Sequence, residues 1–245
     1  MRSRGSRASV LLALVLLVTG CVALPPAPQP PAGTATGGAS MPANMASHGL
    51  LLLPSGPVET PEAGPTPVPS VVDDSVVHIQ LYLDPSCSHC GDFVETNASL
   101  LATLITDDVA AVEVHPIAIL DASTGGASSR AVAAIAAAVD EDPAMAWALI
   151  VLLLPTIDAH PGGFPLERLV QAAEGVGLDE ATIAAIETGE FEEFAALATE
   201  WATTNPIPGT DEMVTGTPTV LVDGERFTGA PTDGAAFEAL VAAHR

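Results

Sequence analysis

Asp84-Pro85-Ser86-Cys87-Ser88-His89-Cys90 stands between two runs of different period. Ahead of it Val77, Ile79, Leu81 and Leu83 alternate with His78, Gln80 and Tyr82, a two-residue repeat that predicts a strand. Behind it Phe93, Asn97, Leu100, Leu101 and Leu104 recur at helical spacing. Asp84-Pro85 ends the strand, so the helix begins at the cysteines. Two cysteines separated by two residues approach each other in the first turn of a helix. There the first sulfur also faces backbone N–H groups that lack an intrahelical partner. The stretch is read as a redox-active dithiol.

Working outward, a second strand is expected from Val112 to Ile119, broken by His115-Pro116, with His115 a structural histidine in an apolar strand. The segment from Ser123 to Pro208 reads as all-helical: Ala131–Val139, Ala144–Leu154, Leu166–Gly175, Asp179–Glu187 and Glu190–Thr203, with Asp179 and Gly189 as boundary signals. Trp147 and Trp201 are expected in its core. The apolar run Ala144–Leu154 is too short to span a bilayer. Thr217–Val222 reads as a strand, Asp223-Gly224 as a hairpin turn and Glu225–Thr228 as the return strand, before a closing helix carrying Phe237, Leu240 and Val241. The fold class is therefore α/β, with one helical block inserted into a small layered unit. Asn97-Ala98-Ser99 fits a glycosylation pattern but falls within a helix, where it is discounted.

The chain has 7 basic residues, all arginine, against 30 acids. Such a surface repels phosphate backbones, which excludes nucleic-acid binding. Aromatics make up only 4% against an apolar fraction of 48%, so Ala, Val and Leu must fill the core.

Residues 1–20 read as an export signal: Arg2, Arg4 and Arg7 precede the apolar run Val10–Val18. Val18-Thr19-Gly20-Cys21 is similar to the bacterial lipoprotein processing box, in which the cysteine is lipidated. Lipidation of Cys21 would leave one pair among the three cysteines. It would also hold the protein at the outer face of the membrane. Residues 21–40 are a Pro/Gly-rich linker. Residues 41–70 hold a short hairpin, with Gly49 turning into Leu50–Leu53, followed by a Pro-rich loop; His48 is read as a surface turn residue.

The chain resembles thioredoxin-fold proteins of the DsbA-like type, in their exported, anchored actinobacterial form. The resemblance rests on Cys87-Ser88-His89-Cys90 at a strand-to-helix junction and on a helical domain (123–208) between a first half (71–122) and a second half (209–245). It rests also on Gly216-Thr217-Pro218-Thr219, which looks like the family's cis-proline loop, and on Asn44-Met45-Ala46-Ser47, similar to a stretch ahead of the catalytic domain. The resemblance implies a thioredoxin fold, βαβ plus ββα around a central mixed sheet. It implies no cofactor, reduced exported proteins as substrates, and reoxidation by a membrane partner of the DsbB or VKOR type. It places Thr217 and Pro218 against the cysteines, where Thr217 backbone groups would pair with an extended substrate. One departure is Leu81, which stands where thioredoxins and several DsbA-like proteins carry a buried acid, six residues before the first cysteine.

In chemical terms Cys87 is the expected nucleophile, exposed at the helix start, and Cys90 the shielded resolving partner. Ser88 is a spacer. His89 is expected to stabilise the Cys87 thiolate and so to set the direction of electron flow. Four other readings compete. A structural Cys87–Cys90 disulfide would close too small a loop to constrain the unfolded chain much. Zinc lacks a second Cys pair or clustered His. Covalent haem requires a histidine where Gly91 stands. A cysteine hydrolase leaves Cys90 unexplained. Within thiol chemistry a reductase or isomerase uses the same residues, and a lipid-anchored binding module is the non-enzymatic reading.

Overall fold

A computed structural model describes residues 40–245. The expected export signal, Cys21 and the expected linker up to residue 39 lie outside the described residues.

The strand ahead of the cysteines is β3 (Val77–Leu83), after a short hairpin β1 (Leu50–Leu53) and β2 (Gly56–Pro57). It leads into α1 (Ser88–Thr106), and β4 (Ala110–Pro116) returns parallel to it. The helical block follows as α2 (Asp121–Thr124), α3 (Ala127–Glu141), α4 (Pro143–Leu153), a 3-10 turn (Leu154–Ala159), α5 (Leu166–Val176), α6 (Glu180–Thr188) and α7 (Glu192–Thr204). The chain closes with β5 (Thr219–Val222), β6 (Glu225–Arg226) and α8 (Gly234–Ala243). The six strands form one mixed sheet in the order β2-β1-β4-β3-β5-β6. This is the expected βαβ and ββα arrangement with a helical insertion.

The alternation in β3 sorts its side chains by face. Val77, Ile79, Leu81 and Leu83 join the main core with Phe93, Val94, Leu101 and Leu104 of α1. Phe93 meets Phe237 of α8 edge-on at 5.2 Å, which fastens the closing helix over the active-site helix. The insertion shares this core, since Ala134 and Leu149 pack in the same cluster as Leu81. Residues Ala131 to Val139 are all buried, and their small side chains let neighbouring helices approach α3 from several directions. Helix starts are capped by carboxylates: Asp142 accepts from the Ala144 N–H and Asp179 from the Thr182 N–H, both at 2.8 Å. Among the described residues no helix is long and apolar enough to cross a membrane.

Four details differ from expectation. His48 is buried, not a surface turn: its Nε2 lies 2.7 Å from the Gly64 carbonyl oxygen and Phe194 stands edge-on to its ring. Trp147 and Trp201 are half-buried rather than central, because alanines take the tightest positions. The closing hairpin is shorter at both ends: β5 starts at Thr219 rather than Thr217, and β6 stops at Arg226, although Phe227 N–H still reaches the Val220 carbonyl at 2.9 Å. The second strand runs from Ala110 to Pro116, and the chain then turns where the Leu120 N–H bonds to a carboxylate oxygen of Asp84, at 2.8 Å. Asn97 is buried and donates to the Phe93 carbonyl at 2.9 Å, which agrees with discounting it as a sugar acceptor.

Candidate active site

Cys87 is the N-cap of α1, with extended backbone (φ −94°, ψ 117°), and its carbonyl accepts from the N–H groups of Cys90 at 2.9 Å and Gly91 at 3.1 Å. That geometry follows from Asp84-Pro85, which ends β3 and turns the chain so that the Cys87 N–H bonds to the Asp84 carbonyl at 3.0 Å. In this structure the pair is a dithiol. Cys90 is fully buried and Cys87 keeps 9% of its surface exposed, less than an exposed nucleophile would show but the accessible sulfur of the two.

Opposite stands the loop that contains Thr217 and Pro218, joined by a cis peptide bond. The Cys87 Sγ–H donates to the Thr217 carbonyl at 3.4 Å. The two thiols are pushed apart in acidity. A hydrogen bond from the Cys90 thiol lowers the Cys87 pKa most. Burial opposes it, and the Thr217 side chain and the backbone N–H groups of Cys90 and His89 bring the result down to about 6. Burial raises Cys90 well above an ordinary thiol, and the neighbouring Cys87 adds to the rise. At pH 7 about nine in ten Cys87 side chains are thiolate, against roughly one in thirty for a thiol of pKa ~8.5.

A family model described as thioredoxin matches residues 73–242, well over half of the chain. The chain belongs to the thioredoxin family. None of the curated proteins compared matches it. Among solved structures it is similar to MdbA, a thiol-disulfide oxidoreductase from Corynebacterium diphtheriae. That match has a TM-score of 0.60 and 19% identity, and covers 85% of this chain and 95% of that one. It is also similar to MdbA from Actinomyces oris, with a TM-score of 0.58, 22% identity and coverage of 71% and 84%. DsbG from Mycobacterium tuberculosis, a disulfide bond oxidoreductase in its reduced form, matches with a TM-score of 0.55, 24% identity and coverage of 67% and 76%. At these identities the likeness is one of fold.

Within this thioredoxin-family chain, His89 is placed differently from the sequence expectation. Its side chain is 71% exposed and its Nδ1 lies 3.5 Å from Asp92 Oδ2, so the ring is engaged by a carboxylate. His89 acts on the Cys87 sulfur through its backbone N–H. Ser88 is exposed, as a spacer should be. Gly91 has a tighter role: a Cβ there would lie 2.5 Å from the Leu154 carbonyl oxygen, so only glycine lets the 3-10 turn approach α1 beside Cys90.

Two buried acids escaped the sequence reading. Asp84 has no exposed surface and accepts hydrogen bonds from the Ser86 N–H and Leu120 N–H, each at 2.8 Å, and from the Ser128 hydroxyl. It thereby ties the catalytic turn to the start of the insertion. Burial raises its pKa against those three bonds. The motif Asp-Pro signalled a turn and hid the acid's second use. Glu113, on β4, is held by His78 Nε2 at 3.0 Å and the Ser70 hydroxyl at 2.6 Å, with His115 Nε2 at 3.6 Å. Burial raises the Glu113 pKa, but the neighbouring His115 and the hydrogen bond with His78 outweigh it and hold the carboxyl well below its usual range. This cluster borders a polar cleft of about 790 Å³ lined by Val77, His78, Asp108 and Asp223, where β3 begins; the dithiol lies beyond the other end of that strand. That cleft is therefore not the thiol site.

Proposed function

We propose that the chain is an extracytoplasmic thiol-disulfide oxidoreductase that introduces disulfides into reduced, unfolded exported proteins. The observation that carries this reading is the opposite displacement of two adjacent thiols, Cys87 down to about 6 and Cys90 well up. A stabilised Cys87 thiolate stabilises the reduced protein and makes its disulfide oxidising. The names of the MdbA and DsbG structures support the same chemistry.

In the proposed cycle Cys87 and Cys90 begin as a disulfide. A substrate thiolate attacks Cys87 Sγ; the Cys87–Cys90 bond breaks and Cys90 leaves and takes a proton, which its raised pKa favours. A second substrate thiolate attacks the substrate sulfur of the mixed disulfide, a substrate disulfide forms, and Cys87 leaves as thiolate. The substrate is oxidised by two electrons and the dithiol reduced by two; a membrane partner of the DsbB or VKOR type then reoxidises it. Thr217 and Pro218 form the wall against which the substrate segment lies. Export by residues 1–20, lipid attachment at Cys21, the linker of 21–40 and the division into two catalytic halves (71–122 and 209–245) around a helical domain (123–208) complete the proposal.

Purified protein with its dithiol oxidised should transfer the disulfide to a reduced, unfolded model protein, and Cys87→Ser should abolish transfer. Equal activity in that variant would leave only a binding module. A redox titration decides direction: a potential at or below that of thioredoxin, ~−270 mV, would make the protein a reductase.

A further inference from the structure

Arg226 is one of four arginines among the described residues, and its guanidinium is spent entirely on one loop. From β6 it reaches across the β5–β6 hairpin. Its Nε donates to Glu212 Oε2 at 2.7 Å, its Nη2 to the Met213 carbonyl at 2.6 Å, and its Nη1 to the Thr219 hydroxyl at 3.1 Å. The Thr219 hydroxyl passes the restraint on, donating to the Gly216 carbonyl at 2.7 Å. The loop is thus pinned at residues 212, 213, 216 and 219, on both sides of Thr217. A planar fork of donors suits this task, because three acceptors are held at once in a fixed geometry. A lysine ammonium on a flexible stem has no such plane.

We propose that Arg226 is a positioning residue that holds Thr217 against Cys87 and thereby sets the acidity of the nucleophile. The charge of Arg226 is offset by Glu212, so its effect passes through the loop. Thr217 is the residue of that loop that meets the sulfur: the Cys87 thiol donates to its carbonyl at 3.4 Å, and its side chain lowers the Cys87 pKa. A loop free to draw back takes the Thr217 side chain, which favours the thiolate, away from Cys87. The thiolate fraction then falls, and the disulfide becomes less oxidising. The role deepens the oxidoreductase reading but is measurable without it, since a thiol titrates whether or not the protein turns over.

The test is titration of the reduced full chain by the ultraviolet absorbance of the thiolate, with Cys87→Ser as the baseline that removes the signals of Cys21 and Cys90. Arg226→Gln should raise the Cys87 pKa by about one unit, a tenfold loss of thiolate at acidic pH. It should also move the reduction potential toward the reducing side. Arg226→Lys, which keeps the charge and loses the fork, should shift it in the same direction. An unchanged Cys87 pKa in Arg226→Gln, even with a lowered melting temperature, would overturn the proposal. So would full recovery in Arg226→Lys, which would make the effect one of charge. If Arg226→Gln does not fold, Thr219→Val decides: it cuts the link from Arg226 to Gly216, and a wild-type pKa there would overturn the proposal equally. A wild-type chain without oxidase activity would refute the oxidase reading and leave this comparison intact.

Discussion

Cys87 Sγ lies 3.4 Å from the carbonyl oxygen of Thr217, 130 positions further along the chain. The contact joins the two halves of the fold at the reacting sulfur. It also means that the acidity of Cys87 depends on the folded state, and pH therefore acts on stability through it.

In the folded reduced chain Cys87 titrates near 6, below the ~8.5 of an unfolded thiol. Folding favours its thiolate, so the stabilisation is complete above the unfolded value and is lost as pH falls through about 6. The oxidised protein has no such titration. Between pH ~6 and ~8.5 the reduced form should gain stability relative to the oxidised form, and Cys87→Ser should flatten the slope. Cys90, displaced upward, works against this only above that window. Urea unfolding of both redox forms across the range checks it; parallel curves would refute the assignment.

Gly91→Ala should destabilise the protein by about 1–3 kcal/mol, because the new methyl would sit 2.5 Å from the Leu154 carbonyl oxygen, which backbone cannot yield cheaply. The helix propensity of alanine, worth about 1 kcal/mol, offsets only part of this. Thermal unfolding measures the balance, and a stabilised variant would show that the 3-10 turn moves freely.

Asp84→Ala leaves the Ser128 hydroxyl and the N–H groups of Ser86 and Leu120 without an acceptor in a buried site. A loss of about 2–4 kcal/mol is expected. Asp84→Asn keeps one carboxamide oxygen and should lose less. If both variants unfold at the wild-type denaturant concentration, the carboxylate does not tie the catalytic turn to the insertion.

Glu113→Gln weakens the bonds from His78 and Ser70 and should cost about 2 kcal/mol near neutral pH. The folded Glu113 titrates below its unfolded value, so its contribution is full above ~4.3 and disappears as pH falls through the lower folded value. The gap between variant and wild type should therefore close in acid. The Cys87 pKa should stay at about 6, because the cluster sits beyond the opposite end of β3; a shift would show that the two ends are coupled.

Much of this was legible in local pattern. The two-residue period of β3, the helical period of α1, the Asp179 cap and the Asp223-Gly224 turn each depend on neighbours a few positions away. The roles of His48, His89 and Asp84 were not legible in this way. His48 looked like a turn residue because it precedes glycine, and it does adopt a positive φ of 62°, but burial followed from Phe194 and Gly64 reaching it through the fold. The His89 ring took the carboxylate three residues on, a choice the spacing allowed and did not dictate.

From sequence alone came the strand-to-helix junction with two cysteines at the helix start, since hydrophobic period and helix termini are properties of consecutive residues. Tertiary structure alone decided how acidic those cysteines are and what holds their surroundings in place. Asp84 meets Ser128, Cys87 meets Thr217, and Arg226 braces the loop that carries Thr217. The pairings of Asp84 and Cys87 bring together residues 44 and 130 positions apart, and only packing of the sheet and helices sets such distances.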